Sequence, residues 1–239
     1  MKPIEQFLDS TYLSIEPDSV AQVRSLCHDA VEYDVRTVCV RPDFLPLARG
    51  ILSGSSVGLA TVIAFPTEKS TIAEQRKYHT FGRASVSAKV RGIQEAIEQG
   101  ATELDVVLST HYYPLPECES LVFEECQALV EASQGLLLKL IFECDLLCPH
   151  KLSLVVNAAL DAGVPCLKTS TGFLTDGKGA TESRIRQLRT LANTSGQNVL
   201  VKASGGVRNY PKARNLIELG ANIIGTSTAK LMILESKYY

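Results

Sequence analysis

Val164-Pro165-Cys166-Leu167-Lys168-Thr169-Ser170-Thr171-Gly172 runs from apolar residues through one lysine to a glycine. The lead has the composition of a short strand, and Gly172 offers the turn that ends it. A lysine placed there either extends to water at the strand end or sits desolvated. Desolvation favours the neutral, nucleophilic amine. The segment alone does not separate the two readings. Its surroundings do, because the same alternation of short apolar strand and amphipathic helix runs along the whole chain.

Strands are expected over residues 7–11, 37–40, 59–65, 103–108, 136–143, 166–170, 199–204 and 223–226, each rich in β-branched or aliphatic residues. Pro17 opens a helix whose apolar face is Val20, Val23, Leu26, Cys27, Ala30 and Val31. Val90, Ile93 and Ile97 mark another, stopped by Gly100. Further helices follow around Leu121 to Val130, over 151–162 and 182–192, and from Pro211 to Gly220. Residues 42–50 form a short helical or irregular connection, 75–87 a polar loop or extra helical turn, and 229–239 a terminal helix and tail. Eight strands alternating with helices predict an α/β fold, a (β/α)8 TIM barrel, with residues 1–239 as a single domain. The competing open doubly wound sheet would carry a Gly-rich turn after its first strand, and none is there.

Bulk composition narrows the function. The chain has 239 residues, 45% hydrophobic and 21% charged, with a net charge of −2. That supports a sizeable core and gives no basic patch for nucleic acid or an acidic membrane. No apolar run is long enough to span a bilayer, and Met1-Lys2-Pro3-Ile4-Glu5 lacks the apolar core of a signal peptide. The seven cysteines are odd in number and follow no disulfide or zinc spacing, so reduced thiols in the cytoplasm are expected. The four histidines show no ligand or triad spacing.

Strand parity then sorts the side chains, which alternate faces along a strand. The apolar members, such as Leu104 and Val106 or Val201 and Ala203, form the helix-facing set. The inward set becomes Asp9, Thr11, Cys39, Asp105, Lys139, Glu143, Lys168, Ser170, Lys202 and Ser204. A purely structural barrel fills those layers with Val, Ile and Leu. Here three lysines and three carboxylates share one interior, and buried charge persists only when paired.

Lys168 and Lys202 fall on consecutive strands, where one ammonium disfavours the other and leaves a neutral amine for attack on a carbonyl. Asp105 is a candidate proton shuttle, and Asp9 with Thr11 supports the network by hydrogen bonding. Glu143 and Lys139 read as a structural ion pair, and Cys39 as a packed thiol. Glycine-bearing turns follow the last three strands. Thr171, Gly172, Gly205, Gly206, Gly225, Ser227 and Thr228 suit a phosphate, with Ser227 and Thr228 also able to cap a helix. Lys178 and Arg208 stand nearby.

These segments resemble the deoxyribose-phosphate aldolase family. The likeness rests on Leu8-Asp9-Ser10-Thr11, Val38-Cys39-Val40, Glu103-Leu104-Asp105-Val106-Val107, Leu167-Lys168-Thr169-Ser170-Thr171-Gly172, Val201-Lys202-Ala203-Ser204-Gly205-Gly206-Val207-Arg208 and Gly225-Thr226-Ser227, in order along nearly the whole chain. The resemblance implies a class I aldolase that needs no metal or other cofactor and cleaves 2-deoxy-D-ribose 5-phosphate to acetaldehyde and D-glyceraldehyde 3-phosphate. It implies that Lys168 forms the Schiff base, Lys202 tunes it, Asp105 moves protons and the glycine turns hold the phosphate. It also implies small phosphosugar and aldehyde partners and a place in cytoplasmic deoxynucleoside catabolism. Oligomeric state is left open, a homodimer being the commonest case. Another class I phosphosugar aldolase and a catalytically silent phosphosugar-binding barrel stand as alternatives. Departures from the family pattern are Phe65-Pro66-Thr67-Glu68 without a glycine, a longer connection after it, Glu143-Cys144, and Phe173 in place of a basic residue. A terminal tyrosine, Tyr239, folding over the barrel mouth is a weaker expectation.

Overall fold

Eight runs of aliphatic and β-branched residues form parallel strands that close into a barrel in chain order. They are β1 (Leu8–Tyr12), β2 (Thr37–Val40), β3 (Gly58–Ile63), β4 (Glu103–Val107), β5 (Leu137–Ile141), β6 (Cys166–Lys168), β7 (Leu200–Ser204) and β8 (Ile223–Thr226). This is the (β/α)8 barrel expected from the alternation. The structure is a computed structural model, and it describes residues 2–239. Helices α1 (Ser19–Glu32) and α2 (Leu45–Leu52) follow the first two strands, and α3 (Ile72–Tyr78) with α4 (Val86–Glu98) the third. Then come α5 (Cys118–Ala132), α6 (Pro149–Asp161), α7 (Glu182–Thr194), α8 (Tyr210–Glu218) and α9 (Ala229–Ser236). Among the described residues no helix is long and apolar enough to cross a membrane.

Parity builds two cores. Leu8, Val38, Leu104, Leu138, Leu140, Leu167, Val201 and Ile224 point outward and pack beneath the helices, all fully buried. Each contributes about 1.5–3 kcal/mol by leaving water. Inside the barrel a smaller apolar cluster, including Cys39, Ala60, Val62, Val107 and Ile141, fills part of the lumen. Charged Asp105 and Lys139 share the inward faces of β4 and β5 with Val107 and Ile141, two residues further along each strand.

Some boundaries differ from expectation for local reasons. Pro17 sits in the turn ahead of α1, which begins at Ser19. Val20 and Val31 are 52% and 42% exposed, so the buried face of α1 is the narrower Val23, Cys27 and Ala30. Strand β5 stops at Ile141, and Glu143 turns into the left-handed region with φ 48°. Strand β6 stops at Lys168, although Thr169 still donates its amide to Lys202 O at 3.1 Å.

The connection after β3 contains a short helix followed by an irregular return over residues 79–85. Thr71 and Glu74 form a reciprocal capping box, with Glu74 N donating to Thr71 Oγ1 at 3.2 Å and Thr71 N to Glu74 Oε2 at 2.8 Å. That cap starts α3. Buried Gln75 then pins the return, its Oε1 accepting from Thr80 N and Phe81 N. Ser70 pairs with Leu174 in an isolated parallel bridge, through Ser70 N to Phe173 O at 3.0 Å and Thr175 N to Ser70 O at 2.9 Å. The α3 arm is thereby fastened to the loop after β6.

Candidate active site

Strand β6 ends on Lys168, 3% exposed, whose Nζ donates to Asp105 Oδ2 at 2.6 Å. Lys202 lies directly beside it in the β6–β7 register. Its Nζ donates to the same Asp105 oxygen at 2.8 Å and to Asp9 Oδ2 at 2.5 Å. Lys139 reaches Asp105 Oδ1 at 2.7 Å, Glu103 at 2.8 Å and Asp9 Oδ2 at 3.3 Å. Arg36, just ahead of β2, closes the cluster from below by pairing with Asp9 and Glu103, each at 2.5 Å.

Three carboxylates, Asp9, Glu103 and Asp105, thus face three cations, Arg36, Lys139 and Lys202. Lys168 is the surplus cation, and a buried charge without a counterpart is costly. Its titration follows. Burial pushes the Lys168 ammonium below its ordinary value; Asp105 works against that and Lys202 adds to it. Lys202 moves the other way, because Asp105 and Asp9 outweigh the burial that opposes its charge. Burial also works against the Asp105 carboxylate, but Lys139, Lys168 and Lys202 hold it well below the usual range. Asp9 is lowered to about 2, burial being overcome by Lys139, Lys202 and Arg36. The outcome is one amine biased toward neutrality beside one firmly ionised carboxylate.

Small residues make room for this. Gly225 sits on β8 next to the Lys202 stem, and a Cβ there would lie 2.9 Å from Ser204 Cβ and 3.1 Å from Lys202 Cε. Above the lysines the barrel mouth holds a cavity of about 220 Å³. Lys168 forms its floor, and Thr11, Thr171, Gly172, Gly205, Gly206, Arg208, Gly225 and Ser227 are among its walls. Gly172 and Gly205 have φ of 80° and 90°, a conformation that glycine adopts without strain. Among the described residues the amides of Gly172, Gly205 and Gly206 donate to no protein acceptor. No three or more His, Cys, Asp or Glu side chains are grouped to hold a metal ion among the described residues.

The structure therefore brings Lys168, Lys202, Asp105 and Asp9 together, and adds Lys139 to them. Cys39 is buried against the same lumen, and burial pushes its thiol up to about 11. Other expectations need correction. Thr11 donates to its own strand, at Asp9 O, and does not touch the carboxylates. Glu143 does not pair with Lys139. Once β5 has ended, its carboxylate swings to the next loop and accepts from Thr171 N at 3.0 Å and Thr171 Oγ1 at 2.5 Å. Thr228 stands outside the mouth, its hydroxyl donating to Arg208 O and its amide to Thr226 Oγ1; it occupies the N-cap position of α9 but its side chain makes no capping bond. Lys178 is not part of the mouth lining. Tyr239 packs on the Tyr210 ring at 5.6 Å and likewise does not line the mouth.

Three contributors were not anticipated. Glu103 lies two residues before Asp105, on the same strand face, so parity alone signals it. Arg36 precedes β2, where no periodicity reaches. Lys69 enters the mouth from the α3 arm.

Comparison with known proteins agrees with this geometry. The profile of the DeoC/LacD family aldolases matches residues 3–231. A deoxyribose-phosphate aldolase of Exiguobacterium sibiricum is 37% identical over 92% of this chain and 90% of its own. One from Brevibacillus brevis is 33% identical over 98% and 96%. Among solved structures, the tetrameric deoxyribose phosphate aldolase of Aeropyrum pernix superposes with a TM-score of 0.82 at 31% identity, covering 98% of this chain and 91% of that one. An aldolase called QR15 gives 0.84 at 28%, covering 100% and 97%.

Proposed function

Because the chain belongs to the DeoC/LacD family of aldolases, we propose that it cleaves 2-deoxy-D-ribose 5-phosphate reversibly to acetaldehyde and D-glyceraldehyde 3-phosphate through a Schiff base on Lys168. The observation that carries the reading is the surplus amine of Lys168, sharing Asp105 Oδ2 with Lys202. The free amine attacks C1 of the open-chain sugar, and the carbinolamine loses water to give an iminium. The C2–C3 bond then breaks as the C3 hydroxyl gives up its proton and becomes the aldehyde of the three-carbon product. Electrons from that bond pass into the iminium, leaving an enamine. Protonation at C2 and hydrolysis release acetaldehyde and restore the lysine.

Asp105 starts ionised, so it first accepts a proton at the reacting nitrogen and returns it later. Lys202 stays charged and keeps the Lys168 ammonium disfavoured. Asp9 and Lys139 position this pair without meeting substrate. The open amides of Gly172, Gly205 and Gly206, with Arg208 and Ser227, take the 5-phosphate.

Borohydride reduction with acetaldehyde, followed by peptide mapping, tests the assignment. An ethyl adduct on Lys168 is expected; label on Lys202 alone, or on no lysine, rejects it. Phosphate binding without turnover would identify a silent barrel, and a substrate panel separates other phosphosugar aldolases. The partners are small phosphosugars and aldehydes, in cytoplasmic deoxynucleoside catabolism. For assembly, a homodimer competes with the tetramer described for the Aeropyrum pernix protein, and sedimentation analysis distinguishes them.

A further inference from the structure

The mouth cavity is lined by Lys69, Lys168 and Arg208 and by no aspartate or glutamate. Lys168 is committed to the chemistry at the floor. Lys69 and Arg208 are exposed, and neither side chain has a salt bridge or hydrogen bond among the described residues. Two uncommitted cations from different loops therefore overlook a cavity rimmed by open amides. Two cations and open amides around one cavity make an anion site.

The loop after β6 supplies no cation of its own to this cavity. The side chain that follows Gly172 is Phe173, which lines the cavity with an uncharged ring. It meets Phe65 edge to face at 4.9 Å, with the Arg41 guanidinium 5.6 Å from one ring centre and 6.0 Å from the other. Arg41 is itself fixed by Leu13 O at 2.7 Å and Pro66 O at 2.8 Å. The charge on that wall comes instead from the adjacent loop.

Lys69 is held where it stands by its neighbours. Ser70 is bridged to Leu174, and Ile72 N donates to Asp176 Oδ1 at 2.7 Å. Glu74, at the start of α3, is occupied by Ser70 and Thr71. The α3 arm thus presents Lys69 to the mouth, while neither Glu68 nor Glu74 lines it.

We propose that Lys69 is a specificity-determining residue that recognises the terminal phosphate of the sugar and sets the preference for phosphorylated over free substrates. The proposal rests on the aldolase reading above and deepens it. A charge-assisted hydrogen bond to a phosphate oxygen predicts roughly a ten- to thirtyfold loss on removal.

The test measures kcat/KM of the full chain and of Lys69→Ala and Lys69→Arg with 2-deoxy-D-ribose 5-phosphate and with 2-deoxy-D-ribose. Inhibition by inorganic phosphate and borohydride trapping of acetaldehyde are measured alongside. Lys69→Ala is expected to lower the ratio of phosphorylated to free-sugar kcat/KM roughly tenfold or more, chiefly through KM, and to weaken phosphate inhibition in parallel. Lys69→Arg restores most of the ratio. An unchanged ratio, or equal losses on both sugars, overturns the proposal. The two failures are distinguishable: if the unmodified enzyme traps no acetaldehyde on Lys168, the reaction assignment is at fault. If trapping persists and the ratio does not move, the fault lies with Lys69 alone.

Discussion

Replacing Lys202 by methionine keeps the stem length and removes the charge beside Lys168. The two ammonium groups contact one carboxylate oxygen, at 2.6 and 2.8 Å, so they stand no more than about 5.4 Å apart. At an effective dielectric constant of about 20, two unit charges at that distance repel by about 3 kcal/mol. Loss of the repulsion favours the Lys168 ammonium by the same amount, roughly a hundredfold in the fraction present as free amine. The variant should therefore trap acetaldehyde about a hundredfold more slowly at neutral pH, with its rate profile displaced to alkaline pH. Raising the pH should recover much of the loss, which a merely misfolded barrel would not allow. Lys202→Arg, which keeps the charge, should fall between. A Lys202→Met profile that is lowered but not displaced would refute the electrostatic role and leave Lys202 as a packing or proton-carrying group.

Two further variants probe the supporting residues. Asp9→Ala leaves Lys139, Lys202 and Arg36 without their shared partner, and should lower stability by about 3–5 kcal/mol in denaturant melts; a loss below about 1 kcal/mol would show that water replaces the carboxylate. Burial raises Glu143 to about 7, against the stabilising Thr171 contacts. A raised acid keeps its proton in the folded state after the unfolded chain has lost it. Stability should thus fall as pH rises from about 4.5 to about 7, by about 3 kcal/mol, and level off above. Glu143→Gln should flatten that slope and be the more stable form above pH 7; parallel stability curves would show that Glu143 does not titrate in this window.

The barrel and its reactive floor were legible in the sequence for one reason. A strand alternates strictly, so a charged residue at every second position in an apolar run declares an interior face. That logic found Asp9, Asp105, Lys139, Lys168 and Lys202. It failed where the backbone left the strand. Glu143 was assigned to Lys139 by extending β5 two residues too far, and its left-handed conformation sends the carboxylate to Thr171 instead. The α3 arm carries a readable signal, the Thr71-Ile72-Ala73-Glu74 capping box, which lies just ahead of the 75–87 stretch read as a polar loop or extra helical turn. No local rule places Lys69 at the mouth, because the Ser70–Leu174 bridge joins residues far apart in the chain. Outside the barrel, Lys89 and Glu125 form a fully buried ion pair at 2.6 Å between α4 and α5, with Lys89 also donating to Val107 O and Ser109 Oγ. Lys89 lies four residues before buried Ile93 and seven before buried Ala96, so helical periodicity points it inward. Helix charges are ordinarily solvated, and that expectation hid it.

The bond from Lys202 to Asp9 spans 193 residues, from the seventh strand back to the first. The charge balance around Lys168 is for that reason a property of the finished chain. Asp9, Asp105, Lys139 and Lys168 all precede Lys202 in the chain, so the neighbouring cation that disfavours the Lys168 ammonium is the last of the five to be made. Lys202 takes its place beside Lys168 when the seventh strand pairs with the sixth, and the eighth then seals against the first. A chain cut short of Lys202 would therefore keep Lys168 and Asp105 but lack the charge that biases the amine toward neutrality.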